Sequence, residues 1–272
     1  MPQKIGFPAG VLGENPLRLD VLAANAPYFV ALDKPAGILL DSYLGSPKGK
    51  SVMLAMRDTP EKPEFKRLGI VSPYAVNQVD FEISGAAVVA CDKDTSVKMR
   101  NAMWSEAMEF QYLLLAKPTK PLEDVFEADL PILMHEERPV WLVSHRFGKK
   151  ARTRFEIVET VGAFQLWRAT TRTVRPHQIR VHANENGLKV IGEQLYSRTP
   201  HVYMSDIKEE RYKIGFGEEE RPLYPHISIH LSKITFDGAE TGCDGVGKVD
   251  INSPLPKGFA TQLKRLGFKT RA

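Results

Sequence analysis

The sequence has little cysteine and no long apolar run. Of its 272 residues only two are cysteines, Cys91 and Cys243, which are too few for a disulfide framework or a zinc site. No stretch approaches the roughly 18 apolar residues of a membrane-spanning helix. The first residues, MPQKIGFPAG, lack the apolar core of a secretory signal. We therefore expect a reducing, cytoplasmic setting and no membrane partner.

The sequence also lacks an internal repeat, a glycine-rich nucleotide-binding loop and a clear set of metal ligands. His226 and His230 have the spacing of a helical metal pair, but isoleucines alternate with them, which favours a strand. We expect no metal and no cofactor. A hydrophobic content of 43% and a charged content of 26% are ordinary for a globular protein. The length suits one large domain or two small ones.

Positive charge is concentrated in one part of the chain. Between Arg138 and Asn184 there are ten lysines and arginines but only two acids, Glu156 and Glu159, while the whole chain carries a net charge of +4. A basic segment on a chain that is otherwise slightly acidic is typical of a nucleic-acid surface. A merely solvated charged surface is the alternative.

The stretch Thr173–His182 (TVRPHQIRVH) contains the densest set of polar groups. Arg175 and Arg180 can each bind phosphate or carboxylate oxygens with a planar fork. Pro176 favours a helix start, and the following glycine, Gly187, favours its end. Gln178 and Arg180 cannot share a helix face, so one of them points inward. A buried arginine needs a carboxylate partner.

Residues 173–182 resemble the last signature of the RluA-type pseudouridine synthases, T-G-R-T-H-Q-I-R-V-H, with Val174 in place of its glycine. Residues 187–197 (GLKVIGEQLYS) resemble the family's next segment, G-H-P-I-V-G-D-P-L-Y-G. A match of this length is far more specific than a short motif. A basic surface helix on an unrelated protein is the alternative.

Residues 76–85 (VNQVDFEISG) resemble a second family signature, V-H-R-L-D-x-x-T-S-G, which places the nucleophilic aspartate at Asp80. Three positions depart from it: Asn77 replaces the histidine, Gln78 the arginine that takes part in RNA binding and base flipping, and Ile83 the threonine. Tyr112 matches the active-site tyrosine. Residues 33–37 (DKPAG) resemble the opening signature, with Lys34 as an RNA contact, although its proline and glycine alone explain a turn.

The resemblance implies an α+β fold with a mixed, mainly antiparallel sheet, flanking helices and a central RNA-binding cleft. It implies a catalytic domain over 28–272 and, over 1–27, an arm or edge element too short for an S4 domain. The expected reaction isomerises a uridine of rRNA or tRNA, in a monomer. Its expected catalytic residues are Asp80, Tyr112 and Arg180, and its expected RNA-binding residues are Lys34, Gln78, Lys149, Lys150, Arg152, Arg175, His177 and Gln178.

We expect Arg180 to form its ion pair with Asp80, because neither charge should be buried alone. Two other functions stay open. The first is a catalytically impaired relative that acts as an RNA-binding or ribosome-assembly protein, which the departures at Asn77, Gln78 and Ile83 favour. The second is a nuclease that uses His177 and His182, for which no paired motif is present.

The hydrophobic pattern predicts the elements around these motifs. Alternation predicts a hairpin about Gly162, and residues 117–139 look like a loop. Strands are expected over 28–32, 86–91, 110–116, 153–160, 163–170 and 226–230. Helices are expected after Ser51, after a cap at Asp94 or Thr95 with Val97 and Trp104 among its apolar positions, and within 254–268.

Overall fold

Strands dominate residues 3–42, 49–208 and 219–270, which the computed structural model describes. The strands are β1 (Lys4–Phe7), β2 (Leu17–Asn25), β3 (Phe29–Lys34), β4 (Tyr74–Ala75), β5 (Ser84–Ala90), β6 (Met108–Pro118), β7 (Val125–Asp129), β8 (Ile132–Met134), β9 (Trp141–Val143), β10 (Arg152–Val161), β11 (Phe164–Thr171), β12 (Leu188–Val190), β13 (Ile229–Asp237) and β14 (Lys248–Asn252). The helices are α1 (Val52–Arg57), α2 (Pro63–Leu68), α3 (Lys93–Trp104), α4 (Gln178–Glu185), α5 (Ser205–Lys208) and α6 (Lys257–Leu266). None of these helices is long and apolar enough to cross a membrane.

One large sheet carries the site. Within the described ranges twelve strands join it, in the order β1-β2-β3-β5-β13-β6-β11-β10-β7, with β4, β12 and β14 paired to its members. Its pairings are antiparallel apart from that of β5 with β13. The predicted α+β fold with a mainly antiparallel sheet is confirmed. The sheet brings β5 and β6 to either side of β13, although β5 and β6 are neighbours in sequence.

The close approach of β13 to β5 explains the Ser84-Gly85 pair. Gly85 has a φ of +132°, and a Cβ there would lie 2.3 Å from the carbonyl oxygen of Leu231, so only glycine fits. The Ser84 hydroxyl lies 2.9 Å from Nδ1 of His230, whose Nε2 lies 3.1 Å from the Ser253 carbonyl. Burial lowers the pKa of His230, so the neutral ring bridges these groups as part of the core.

Several predicted elements are confirmed and others need correction. Ser51 caps α1, with its hydroxyl accepting from the Leu54 N–H at 3.1 Å, and the hairpin of β10 and β11 turns at residues 162–163. The cap of α3 is Asp92, whose carboxylate binds both the N–H and the hydroxyl of Thr95 at 2.8 Å. Residues 117–139 are not one loop, because β7 pairs with β10, and the late strand begins at Ile229.

The first strands extend the sheet at its edge. β1 pairs with β2, and β2 with β3, so the described part of residues 1–27 is an edge element. Ile5, Phe7 and Leu19 are buried in the main core. On another part of the sheet, α6 packs Phe259 and its neighbours against β6 and β11. The strands beneath the predicted site are therefore well supported by packing.

Candidate active site

The predicted catalytic aspartate and tyrosine line one small pocket. Its walls are formed by Gln78, Val79, Asp80, Ile83, Tyr112, Thr171, Thr173, Val174, Arg175, Gln178 and Ile179. The cavity measures about 20 Å³, which is room for about one water molecule. A planar base therefore enters only when some of the wall side chains move.

A buried asparagine fixes the chain segment that carries Asp80. The Asn77 amide donates to the Ala86 carbonyl at 3.2 Å, and its oxygen accepts from the Val88 N–H at 2.8 Å. Both partners lie on β5. A turn follows, in which the Ile83 N–H donates to the Asp80 carbonyl at 3.1 Å. Asp80 thus sits on an anchored segment and is 7% exposed.

The Asp80 carboxylate lies at the N-terminus of α4. Its Oδ1 accepts from the backbone N–H of His177 at 3.3 Å. His177 is the N-cap of α4 and has a left-handed backbone, with φ of +57°, which is uncommon for a residue other than glycine. A helix N-terminus favours negative charge. The Asp80 side chain is thus held at the helix N-terminus, where it lines the pocket.

Tyr112 faces the same pocket from β6. Burial, with the charge of Asp80 adding to it, raises the pKa of its hydroxyl well above the ordinary value. The phenol therefore keeps its proton at neutral pH and is able to donate it. Its ring is 6% exposed. Two predicted catalytic residues are thus brought together around one cavity.

The predicted ion pair of Arg180 with Asp80 is wrong. Nε and Nη2 of Arg180 donate to the two carboxylate oxygens of Glu193, at 2.7 and 3.0 Å. Nη1 donates to Glu82 at 3.1 Å. Within the described residues its ion pairs are with these two acids, and none joins it to Asp80. Asp80 still acts on Arg180 through its charge.

Glu193 and Glu82, the two acids that bind Arg180, were not among the site residues predicted from the sequence. Burial opposes the Arg180 charge, but the bonds to Glu193 and the nearby acids outweigh it and raise the pKa of Arg180. Glu193 is 1% exposed and accepts in addition from the Leu195 N–H at 2.7 Å. The sequence does point to Glu193 as a partner for a buried arginine, because it is the only acid within residues 187–197.

Lys34 does not present its charge to solvent, which corrects the predicted RNA contact. It is 1% exposed, and its ammonium donates to the carbonyls of Ile38, Pro35 and Phe81 at 2.8, 3.0 and 3.4 Å. Burial lowers its pKa to about 7, against the charges of Asp80 and Glu82. Lys34 holds the turn after β3 against the Asp80 segment.

His177 and Gln178, both predicted to bind RNA, are also buried. Nδ1 of His177 lies 2.8 Å from the Tyr196 hydroxyl, and burial lowers its pKa. The Gln178 amide nitrogen lies 3.0 Å from the hydroxyls of Thr153 and Thr171, and its oxygen accepts from the Arg175 N–H. Gln178 therefore ties the loop before α4 to the hairpin.

His182 belongs to the core as well. Its ring contacts the Thr153 hydroxyl and the Leu130 carbonyl, both at 2.9 Å, and it is fully buried. Both His177 and His182 are buried and hydrogen-bonded within the fold, which speaks against a two-histidine nuclease site. No group of three or more histidines, cysteines and acids within the described residues could hold a metal ion.

Residues 28–185 match the model of a protein family described as RNA pseudouridylate synthase. The match covers more than half of the chain. The chain belongs to the RNA pseudouridylate synthase family.

Curated relatives carry the name ribosomal large subunit pseudouridine synthase D, which confirms the RluA-type resemblance. Those of Yersinia pestis and Nitrosomonas europaea are 27% identical over 182 and 172 residues, and that of Neisseria meningitidis serogroup A is 24% identical over 242 residues. The alignments cover 67%, 63% and 89% of this chain but 54%, 48% and 59% of the relatives. The chain spans about half the length of the curated relatives it matches.

Solved structures share the fold. Human RNA Pseudouridylate Synthase Domain Containing 4 superposes with a TM-score of 0.66 at 16% identity, over 93% of this chain and 94% of that one. Human RNA Pseudouridylate Synthase Domain Containing 1 has a TM-score of 0.57 at 17% identity, over 88% and 84%. At these identities the likeness establishes the architecture alone.

The departures of this chain from the family signature have local explanations. Asn77 replaces a histidine and clamps β5, as described above. Ile83 replaces a threonine and is buried, at 3% exposure. Gln78 replaces the base-flipping arginine. Its amide lines the pocket and donates to the Asp41 carbonyl at 2.7 Å. Because an amide is neutral, Gln78 offers no positive charge to RNA.

The predicted basic surface is partly neutralised by acids from other parts of the chain. Lys150 pairs with Glu106, and Arg152 pairs with Asp129 at 2.8 Å. Lys149 is exposed and has no such pair within the described residues. The excess of basic residues in the sequence therefore overstates the free positive charge of this surface.

Proposed function

We propose that this chain isomerises a uridine of RNA to pseudouridine, with Asp80 as the nucleophile. One observation carries the proposal: the Asp80 carboxylate is buried at the N-terminus of α4 and shares a pocket with the protonated Tyr112. The carboxylate of an aspartate with a purely structural role would find its hydrogen-bond partners within the core. Asp80 instead faces a cavity.

The reaction is an internal rearrangement. The N1–C1′ bond of uridine breaks, a C5–C1′ bond forms, and a proton leaves C5 while another is taken up at N1. Asp80 attacks the sugar or the base and departs when the new bond is complete, which is covalent catalysis. No electron acceptor is consumed. Tyr112 stacks on the base and takes part in the proton transfer.

The uridine must leave its stack to reach Asp80. Flipping a base costs a few kcal/mol, and the cavity of about 20 Å³ has to widen to receive it. Arg175 and Gln78 form part of the pocket wall. Since the Gln78 amide makes one bond to a backbone carbonyl, its displacement costs little in comparison with that of a buried ion pair.

Arg180 acts in this proposal as a positioning residue. Through Glu82 it holds the turn that follows Asp80, and through Glu193 it fixes residues 193–196. Its ion pairs within the described residues leave the carboxylate oxygens of Asp80 unoccupied by the guanidinium. The nucleophile thus keeps lone pairs for attack.

Ribosomal RNA is the substrate that the comparisons favour. The matching curated proteins are named for the large ribosomal subunit, and we extend that substrate class to this chain. A transfer RNA is the alternative target within the same chemistry.

A second candidate is an RNA-binding or ribosome-assembly protein without catalysis. The closed pocket and the uncharged Gln78 at the position of the base-flipping arginine favour it. The first candidate requires turnover and the second does not, so one experiment separates them.

The test is to map pseudouridines in RNA from cells that lack the gene and to restore them with purified protein. We expect wild-type protein to restore at least one site and Asp80→Asn to restore none, since asparagine keeps the shape and removes the nucleophile. Wild-type activity in Asp80→Asn contradicts the mechanism. RNA binding without turnover by the wild type supports the second candidate.

A further inference from the structure

Trp104 is an exposed aromatic side chain at the end of α3. The sequence pattern placed it on the apolar face of that helix, yet it is 54% exposed, whereas its neighbour Met103 is 4% exposed. A single exposed aromatic residue is not unusual by itself, so its neighbours decide whether it has a role. The core therefore does not account for Trp104.

Arg175 lies over the Trp104 ring, with its guanidinium carbon 4.7 Å from the ring centroid. This distance is within the range of a cation–π contact. Arg175 is also part of the wall of the pocket that contains Asp80 and Tyr112. The exposed indole is thus connected to the mouth of the active site by one side chain.

The guanidinium of Arg175 forms no ion pair within the described residues, although the charge of Glu106 acts on it. Its Nη1 donates to the Val174 carbonyl at 3.2 Å, while its Nε is buried and has no hydrogen-bond acceptor. Nearby basic side chains are neutralised: Arg172 pairs with Glu109 at 3.2 Å, and Lys150 with Glu106. An arginine that is left with a free donor beside a pocket for RNA is suited to a phosphate.

We propose that Trp104 and Arg175 form a nucleotide subsite next to the Asp80 pocket. The exposed indole stacks on the base of a nucleotide adjacent to the target uridine, and Arg175 binds the phosphate between them. An aromatic platform with a neighbouring cation is the combination that single-stranded RNA selects. The inference rests on the proposed function for its placement beside a target uridine.

The subsite also couples binding to opening of the pocket. A phosphate that recruits Arg175 draws away a side chain that now lines a cavity too small for a base. Binding of the neighbouring nucleotide and admission of the uridine are then two effects of the same movement. Arg175 would thus open the pocket in response to an RNA phosphate, which the uncharged Gln78 cannot do.

The experiment measures binding of a fluorescein-labelled, single-stranded RNA of twelve nucleotides with one central uridine, by anisotropy over a range of salt. Trp104→Ala should weaken binding about fivefold or more, since stacking on an aromatic ring is worth about 1–3 kcal/mol per base. Its salt dependence should not change. Arg175→Ala should reduce the salt slope by about 0.7. Trp104→Phe should retain most of the affinity, and Val97→Ala, a change at another exposed position of α3, should bind like the wild type.

Indole fluorescence gives a second readout that does not depend on the folding of the alanine variant. RNA should quench the indole fluorescence of the Trp141→Phe variant, which keeps Trp104. It should quench the fluorescence of Trp104→Phe much less. Equal quenching in both, or wild-type affinity in Trp104→Ala, overturns the subsite.

Failure of the subsite and failure of the proposed function are distinguishable. If wild-type protein forms pseudouridine while Trp104→Ala binds and turns over normally, the function stands and the subsite is wrong. If no RNA is modified but Trp104→Ala loses affinity, the stacking surface stands and its placement beside a target uridine is wrong.

Discussion

Arg180 donates to Glu82, two residues beyond Asp80, and not to Asp80 itself. The arginine thereby fixes the turn that carries the proposed nucleophile without binding its carboxylate. The Asp80 oxygen instead accepts from the His177 backbone.

The two acids that bind Arg180 should differ greatly in their importance. Glu193→Gln removes a charge whose side chain is 2% exposed, whereas the Glu82 side chain is 39% exposed. Breaking a buried pair costs about 3–5 kcal/mol, and a pair open to solvent contributes about 1 kcal/mol or less. Urea unfolding of Glu193→Gln, with Glu82→Gln as the matched control, checks this. Equal losses would show that the buried pair is not the main support.

Arg180→Lys keeps the charge but loses the planar fork, so it should fold with reduced stability and impair turnover more than RNA binding. Single-turnover rates and RNA affinity, measured on the same preparation, separate the two effects. Normal turnover would exclude a positioning role for Arg180.

Asn77→Ala should destabilise the fold by about 1–3 kcal/mol, because it leaves a β5 carbonyl and N–H without their partners. Gln78→Ala is the control, since its half-buried amide serves a single carbonyl. Thermal and urea unfolding of both variants provide the comparison. A smaller effect at Asn77 than at Gln78 would contradict the clamp described above.

The sequence predicted the parts of the molecule that depend on local pattern. Ser51 capped its helix, the hairpin turned near Gly162, and α4 began after Pro176, because caps, turns and alternation are short-range signals. It did not predict the partner of Arg180. The partner of Arg180 depends on which carboxylates lie next to its guanidinium after the sheet has assembled. Charge counting failed at Lys150 and Arg152 for the same reason, since their acidic partners, Glu106 and Asp129, are distant in sequence.

Lys34 should make stability depend on pH in the alkaline range. Its pKa is about 7 in the folded protein, against 10.5 as the ordinary value. Between these values the unfolded chain binds a proton that the folded protein does not. Stability therefore rises with pH there, by about 1.4 kcal/mol per pH unit, and this contribution is lost as the pH falls toward 7.

Lys34→Met removes the titrating group and keeps the length of the side chain. The free energy of unfolding of the wild type minus that of the variant should increase from pH 7 to pH 9. Urea unfolding at intervals of half a pH unit measures it. Parallel curves for the two proteins would show that Lys34 stays charged in the core.

Lys149 and Lys150 should contribute unequally to RNA binding. Lys149→Ala should lower the salt slope by about 0.7 to 0.9, because its charge is free to meet a phosphate. Lys150→Ala should change the slope less, since Glu106 already neutralises it, and Glu106→Gln should strengthen binding. Anisotropy titrations over a range of salt test the three variants. An identical slope for both lysine variants would mean that the ion pair opens freely.

The insertion of β13 between β5 and β6 has a consequence for synthesis of the protein. The chain produces β5 and β6 one after the other, with α3 between them, but their final separation requires a strand that is made more than a hundred residues later. Domains fold as units while the chain emerges, and pairings distant in sequence form slowly. A nascent chain that ends before Ile229 lacks the strand that spaces Asp80 from Tyr112. The pocket between Asp80 and Tyr112 therefore takes its folded geometry only after β13 has been synthesised.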